Sequence, residues 1–210
     1  SFPGYGVEKV EQEIKNIFPK ARIVLLSSDK VKKKELEIIL SNIIKNKYDI
    51  IIGTQIISKG HNFPYLKTVG ILNIDYLLND FDFRSNEKAY QQIIQVSGRA
   101  GRKELQGEVF IQSFQPSHPV INMSITDDFA KFAEFELKNR EKNFLPPFTH
   151  LISLIISSKF EKKAKDFSKD FATKILLNFP DIKVYGPAPS IIFKKNKLFR
   201  YRILIKIQKK

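Results

Sequence analysis

Apolar residues recur along the first half of the chain in two kinds of pattern. Intervals of three and four residues, as at Val7, Val10, Ile14 and Ile17, are typical of one face of a helix. Short continuous apolar runs separate such segments and are typical of strands buried on both faces. The patterns predict helices at 7–17, 36–44 and 85–96, and strands at 22–26, 48–52, 68–74 and 108–112. Such alternation predicts an α/β lobe whose parallel sheet is covered by helices on both faces.

The pattern changes after residue 118. Residues 118–145 carry spaced apolar positions among charges and predict a helix that bridges to the rest of the chain. Pro146-Pro147 cannot continue that helix, so we place a boundary there. Beyond it the pattern predicts a helix at 160–177 and strands at 151–156, 183–185, 191–193 and 200–207, which suits a small α+β domain. We therefore expect a lobe over 1–118, a bridging helix over 119–146 and a second domain over 147–210.

Positive charge is concentrated in the last third of the chain. The net charge is +14 over 210 residues, but residues 1–146 contribute only +3. Residues 147–210 carry 15 Lys and Arg against 4 Asp and Glu, a net charge of +11. This distribution suits a polyanionic partner such as nucleic acid, and it equally suits a solvated lysine-rich face.

The composition excludes several classes of protein. The chain has no cysteine, and its three histidines, His61, His118 and His150, are far apart in the sequence, so we expect no disulfide and no metal site. No stretch approaches the roughly 20 apolar residues of a membrane-spanning helix, and the N-terminus has no apolar signal-peptide core. We therefore expect a cytoplasmic protein.

Two short motifs carry the candidate chemistry. The segment Gln95-Val96-Ser97-Gly98-Arg99-Ala100-Gly101-Arg102 places two arginines three positions apart, each after a glycine. Glycine lets a backbone approach a phosphate closely, and arginine neutralises charge that develops on a transferred phosphoryl group. The second motif lies upstream and reads Gly53-Thr54-Gln55-Ile56-Ile57-Ser58-Lys59-Gly60-His61-Asn62-Phe63-Pro64.

These motifs resemble motifs VI and V of superfamily 2 helicases. Asp82-Phe83-Arg84 lies between them, and Leu145-Pro146-Pro147-Phe148 follows. This series resembles the primosomal protein N′ (PriA-type) family of replication-restart DNA helicases, from about Tyr5 to the C-terminus. The resemblance implies a RecA-like C-terminal helicase lobe followed by a small DNA-binding domain.

The resemblance also implies roles for single residues in the lobe. Arg102 and Arg99 are the catalytic arginines, with Arg102 as the arginine finger, and Gln95 orients Arg99 or contacts the nucleotide. Gly60 and Asn62 face the nucleotide, although related motors often have aspartate where Asn62 stands. Thr54 and Lys59 are expected to contact DNA phosphates.

Two other lobe segments leave their roles open. Asp82, Arg84 and Glu87 match a family segment in which a structural ion pair and a catalytic role are both possible. A family Asp-x-Asp turn retains only Asp29, because Ser27 replaces its first aspartate.

The basic C-terminal domain is expected to bind DNA through residues near its end. These are Lys194, Lys195, Lys197, Arg200 and Arg202. Alternation along a strand places Phe199 and Tyr201 in the core and leaves the cations facing DNA.

The sequence lacks half of an ATP-hydrolysing site. It contains no G-x-x-x-x-G-K-S/T loop and no D-E-x-H box. The resemblance therefore implies that a separate lobe binds ATP and Mg²⁺ and that an upstream cysteine cluster binds zinc. It also implies that a chain opening on Ser1 is a fragment, which is expected to be inactive alone.

As a whole, the resemblance implies the C-terminal part of an ATP-dependent 3′–5′ DNA helicase for primosome assembly and replication restart. Its expected partners are forked or single-stranded DNA, primosome proteins and single-stranded DNA-binding protein. Two alternatives stay open: the second lobe of a different superfamily 2 translocase, and a non-catalytic DNA-binding remnant.

Overall fold

The chain folds into two compact units, residues 1–133 and 134–210. The computed structural model describes residues 6–26, 33–54, 63–80, 82–100 and 107–208. No helix in these described ranges is both long enough and apolar enough to cross a membrane. The boundary between the units lies inside a helix, and the domain limits expected near residues 118 and 146 stay a prediction.

The first unit alternates strands and helices as the sequence predicts. Its described elements are α1 (Val7–Ile17), β1 (Ile23–Leu26), α2 (Lys33–Ile44), β2 (Ile50–Gly53), β3 (Thr68–Ile71), α3 (Asp75–Leu78), α4 (Ser85–Ser97), β4 (Glu108–Ile111), α5 (Pro119–Ile125) and the start of α6 (Phe129–Lys142). β1 pairs with β2 in parallel, with Ile23 opposite Ile50. β3 pairs with β4 in parallel, with Thr68 opposite Glu108. The predicted parallel pairing is therefore present, in two pairs of strands.

The apolar face of α2 forms the core over the first strand pair. Val24, Leu26, Ile43 and Phe63 are buried together, and Leu36, Ile39 and Leu40 pack against them at helical intervals. The second pair buries Val69 and Ile71, whereas Phe110 on its other face is 61% exposed. Among the described residues, this pair is therefore buried on one face.

Arg22 and Asp49 fix the start of the β1–β2 pairing. The Arg22 guanidinium donates from Nη2 to Asp49 Oδ1 (2.7 Å) and from Nε to Oδ2 (3.0 Å). The Arg22 backbone N–H also donates to Oδ2 (2.8 Å). These hydrogen bonds, chiefly those from the side chain, lower the pKa of Asp49 from 3.8 to about 2.

We expect Asp49→Asn to lower the urea midpoint of the chain slightly near neutral pH, because the amide loses charge-assisted hydrogen bonds at a partly exposed pair. A carboxylate whose pKa falls on folding stabilises the folded state above its unfolded pKa and loses that contribution as the pH falls towards the folded pKa. The midpoint gap between parent and variant should be constant above about pH 5 and narrow below about pH 4. A gap that persists unchanged to about pH 3 would contradict the role given to Asp49.

The single bridging helix expected at 119–146 is wrong. Two helices, α5 and α6, occupy this stretch, and α6 ends at Lys142, before the two prolines. The break is caused by Asp127, which has φ of 49°, and by Asp128, whose Oδ1 accepts the backbone N–H of Lys131 (2.9 Å) and so caps α6. Polar residues at 126–128 provide a stop and a new start that apolar spacing alone does not reveal.

The second unit packs one helix on an antiparallel sheet. After α6 it contains β5 (Thr149–Ser158), α7 (Glu161–Asn178), β6 (Lys183–Lys195) and β7 (Leu198–Gln208), with strand order β5-β7-β6. Ala172 of α7 is buried against Ile203 and Ile205 of the central strand. The two strands predicted at 183–185 and 191–193 belong to the single strand β6, whose register shifts between Tyr185 and Ala188 and again between Pro189 and Lys194.

Candidate functional site

Helix α4 presents the first half of the arginine motif. Ala89, Tyr90 and Ile93 form its buried face, and the Tyr90 ring stacks on Phe132 with centroids 4.1 Å apart. Gln95 is exposed on the same helix. Because one side of α4 is held by packing, the position of its C-terminal end is set by a rigid element rather than by a loop.

The turn after α4 fixes the backbone of Arg99. The N–H of Gly98 donates to Ile94 O (3.0 Å), and the N–H of Arg99 donates to Val96 O (3.0 Å). Gly98 has φ of −66°, which any residue adopts, but a Cβ there would lie 3.3 Å from Ile94 O. A side chain at 98 would therefore crowd the helix's last turn only slightly. Gln95 and Arg99 lie at one helix end, whereas Gly101 and Arg102 lie outside the described residues.

Asp82 performs a structural task at the start of α4. Its Oδ2 lies 2.6 Å from Lys88 Nζ, and its Oδ1 accepts the backbone N–H of Arg84 (3.0 Å). The Lys88 hydrogen bond is the main reason that the pKa of Asp82 is lowered. Of the two roles left open for this segment, the ion pair is the one that the geometry of Asp82 supports.

Thr54 stands at the carboxyl end of β2. Its backbone N–H donates to Leu26 O (3.4 Å), so this amide extends the strand pairing and is not directed at a phosphate. Within the described ranges its exposed hydroxyl has no hydrogen-bond partner. The carboxyl end of a parallel pair is where open α/β sheets bind ligands. Lys59, Gly60, His61 and Asn62 of the same motif lie outside the described residues, as do Ser27 and Asp29.

The five basic residues of the C-terminal domain that are predicted to bind DNA all lie on the hairpin of β6 and β7. Asn196 and Lys197 form its turn with φ of 52° and 64°, the positive values that two-residue hairpin turns require. Arg200 and Arg202 point away from the core, because Tyr201 between them is buried. Lys194 pairs with Phe199 and places Nζ 4.5 Å from that ring centroid, on the side of Tyr201. The five cations therefore do not share one face.

The aromatic residues of this hairpin belong mainly to the core. Tyr201 is 4% exposed, and its hydroxyl donates to Glu161 Oε1 (3.2 Å). Burial is the main reason that the pKa of Tyr201 is raised. Phe193 packs edge-on against Phe199 and Tyr201, with centroids 5.6 Å and 5.8 Å apart. The core position predicted for Tyr201 is confirmed, and Phe199 is partly buried beside it.

Comparison with known proteins matches both parts of the chain. Residues 5–104 match the family model of the helicase conserved C-terminal domain, and residues 141–210 match that of the primosomal protein N C-terminal domain. The chain is 36% identical over 208 residues to replication restart protein PriA of Rickettsia conorii. It is 37% identical over 207 residues to replication restart protein PriA of Bacillus subtilis. The chain belongs to the PriA family of replication restart proteins.

The match covers nearly the whole chain but only part of each relative. It includes 99% of this chain and 32% of the Rickettsia conorii protein, and 98% of this chain and 26% of the Bacillus subtilis protein. The chain therefore spans about a third or less of these PriA relatives and corresponds to their C-terminal region. The resemblance seen in the sequence is confirmed, including its helicase lobe and its small C-terminal domain.

Three further residues of this PriA C-terminal unit were not selected from the sequence. Lys183 and Tyr185 of β6 and Lys206 of β7 lie on the same sheet face as Arg200 and Arg202. Lys206 could have been selected from the sequence, because it continues the alternation of outward-facing residues along β7 four residues beyond Arg202. Lys183 and Tyr185 depend on the register between β6 and β7, which local sequence does not specify.

Proposed function

We propose that the chain forms the C-terminal part of an ATP-dependent 3′–5′ DNA helicase that acts in primosome assembly and replication restart. The observation that carries this proposal is the ordered match to the helicase C-terminal and primosomal protein N C-terminal families, at 36% identity to a replication restart protein over 99% of the chain. A match of this extent disfavours the second lobe of an unrelated translocase. We propose functional domains close to 1–118 and 147–210, joined by the helical segment.

The lobe supplies the arginine side of an ATP site. Arg102 acts as the finger on the γ-phosphate and Arg99 as the second cation, while Gln95 orients Arg99 or contacts the nucleotide. Gly60 and Asn62 lie beside the nucleotide. The position of Arg99 directly after a packed helix supports this proposal, because a transition-state cation needs a preorganised backbone.

ATP, Mg²⁺ and zinc are held mainly by other parts of the complete protein. The sequence has no phosphate-binding loop, and among the described residues no group of three His, Asp or Glu side chains converges on a point that could hold a metal ion. This chain alone is therefore expected not to hydrolyse ATP. We also propose a cytoplasmic location, with primosome proteins and single-stranded DNA-binding protein as partners, because these follow from the family.

DNA is contacted by both parts of the chain. Thr54 and Lys59 contact the backbone from the lobe, and Lys194, Lys195, Lys197, Arg200 and Arg202 contact it from the hairpin. Lys197 supports this assignment because it is exposed in the turn at the tip of the basic hairpin, where a phosphate can reach it.

The salt dependence of DNA affinity tests this proposal. Three to five engaged cations predict that the logarithm of the duplex affinity falls against the logarithm of salt concentration with a slope of about −3 to −5, since each phosphate neutralised contributes about −0.9. Changing the five hairpin cations to glutamine should bring the slope to about −1, which is the contribution expected from Lys59 of the lobe. The measurement is fluorescence anisotropy of a labelled duplex titrated with the full chain at several salt concentrations.

A matched control removes the same charge elsewhere in the same unit. Five exposed lysines lie on α7, namely Lys162, Lys163, Lys165, Lys169 and Lys174. Their change to glutamine should leave most of the slope in place. Equal slopes for both variants, or a slope near zero for the parent, would show that the basic surface is only solvated and that the DNA-binding part of the proposal is wrong.

A further inference from the structure

The sheet of the second unit has one face that no helix of that unit covers. Along β7 the residues Tyr201, Ile203 and Ile205 point into the core under α7, so the residues between them point the other way. The strand register places neighbours from β5 and β6 beside these residues. We call this surface the open face, and it consists of Ser153, Ile155, Ser157, Lys183, Tyr185, Arg200, Arg202, Leu204 and Lys206.

The strands of the open face carry positive charge and no carboxylate. Strands β6 and β7 contain Lys and Arg, and none of β5, β6 and β7 contains Asp or Glu. The acidic residues of this unit lie on its helices or at Asp181, which lines a recess beside Lys183 and Lys206. Within the described residues, Lys183, Arg202 and Lys206 form no ion pair. Lys183 lies directly opposite Lys206 on the neighbouring strand, an arrangement of like charges that destabilises a sheet. An anionic ligand would offset this repulsion.

An exposed aromatic ring lies beside this pair of lysines. Tyr185 is 47% exposed and pairs with Leu204, two residues along each strand from Lys183 and Lys206. Lys206 Nζ lies 5.4 Å from the centroid of the Tyr185 ring and donates to Asn143 O (3.1 Å). Lys183 Nζ lies 5.0 Å from the Phe144 ring centroid. Lys206 is thus held at the Tyr185 ring and Lys183 at the Phe144 ring, by contacts that leave ammonium donors available.

The shape of this region decides how a ligand would lie. The recess beside the two lysines, lined by Phe144, Thr149, Asp181, Lys183, Lys206 and Gln208, has a volume of about 30 Å³. A bound water molecule needs about 10–15 Å³ on this measure, so the recess holds at most two or three waters and is too small for a base. A ligand must instead lie across the open face, with its phosphates over the cations and its apolar groups against Tyr185 and Ile155.

We propose that the open face binds single-stranded DNA, with backbone phosphates at Lys183, Arg202 and Lys206 and one base stacked on Tyr185. Arg202 and Lys206 lie four residues apart on β7, which is about 14 Å along the strand, and Lys183 lies opposite Lys206, so the three cations can follow a backbone along the sheet. An exposed ring beside them offers stacking that only unpaired bases can accept, because a duplex hides the faces of its bases. The choice of DNA over RNA rests on the proposed function.

The test compares single-stranded and duplex DNA in binding to the full chain. Fluorescence anisotropy would be measured with a labelled thymidine oligomer of about 12 nucleotides and with a duplex. Tyr185→Leu should weaken binding of the oligomer roughly 5- to 150-fold and leave duplex binding within about two-fold, since one stacked base contributes about 1–3 kcal/mol. Tyr185→Phe should retain oligomer binding, and Phe167→Leu, which removes an exposed ring from α7, should not affect it.

Charge variants provide an independent measurement if Tyr185→Leu unfolds. Changing Lys183 and Lys206 together to glutamine should reduce the salt slope for the oligomer by about 1.4, at about 0.7 for each phosphate contact. This inference would be overturned by an unchanged oligomer affinity in Tyr185→Leu, and equally by an unchanged salt slope in the lysine variant. Neither result would affect duplex binding, so the proposed function would stand. Tighter binding of a uridine oligomer than of the thymidine oligomer would overturn the assignment to DNA. A parent chain that binds neither DNA form would refute both proposals.

Discussion

In the complete protein, Arg102→Ala is expected to lower kcat for DNA-stimulated ATP hydrolysis by about 10³ or more. An arginine finger stabilises charge that develops on the γ-phosphate in the transition state, so its loss affects the chemical step rather than ground-state binding. The affinities for DNA and for ATP should therefore stay close to those of the parent. The measurement is steady-state hydrolysis at saturating DNA, with DNA affinity measured separately.

Lys103 offers a matched control for this variant. It follows Arg102 directly and carries the same charge, but it lies outside the arginine motif. Lys103→Ala should keep kcat within a few-fold of the parent. If Arg102→Ala also stays within a few-fold, the finger is assigned to the wrong residue. If the unaltered complete protein hydrolyses no ATP, the alternative of a non-catalytic DNA-binding remnant is supported.

Helices with a continuous apolar face were predictable from the sequence. The spacing of Val7 to Ile17 gives the bounds of α1, and α4 differs from its prediction by a single residue at its C-terminal end. Helix α4 buries Ala89, Tyr90 and Ile93, so the spacing of its apolar residues marks the contact face directly. In α1 the same spacing gives the helix bounds although none of its residues is fully buried. The parallel strands were predictable from their short apolar runs, although β3 and β4 alternate between more and less exposed residues and are not buried on both faces.

Breaks within elements were not predictable from the same spacing. The division between α5 and α6 depends on the positive φ of Asp127 and on a cap by Asp128, which affect the backbone rather than the apolar pattern. The sequence predicts two short strands in place of β6, because Gly186-Pro187 interrupts the apolar residues. In the structure, pairing with β7 resumes at Ala188. Long-range hydrogen bonds with a central strand override this local signal.

The candidate site was predictable as a set of residues but not as a surface. The motifs identify Gln95 and Arg99, and α4 places both at one helix end. On the hairpin, however, strand alternation sends Lys194 and Arg202 to opposite faces, which a count of charges does not show. Lys183 and Tyr185 join the open face only through the register with β7, and register is a property of the folded sheet.

Gly186→Ala is expected to destabilise the second unit strongly. Gly186 has φ of 96°, and a Cβ at this position would lie 2.8 Å from the backbone oxygen of Arg202 and 3.0 Å from the backbone nitrogen of Ala188. Both contacts are with backbone, so no side chain can rotate away. Adding the cost of a positive φ to that of overpacking gives a loss of about 2–5 kcal/mol in the free energy of unfolding.

The measurement is amide hydrogen exchange, followed by mass spectrometry on peptides from β7. It reports the loss of stability in the second unit separately from the first. Protection of β7 should fall roughly 30-fold or more, since each 1.4 kcal/mol corresponds to about ten-fold. Gly70→Ala is the matched control, because a Cβ at Gly70 meets no atom within 4 Å. In a strand alanine is favoured over glycine, so protection of β3 should stay equal or rise. Equal losses at the two positions would show that the effect comes from glycine flexibility in general and not from the close approach of β6 to β7.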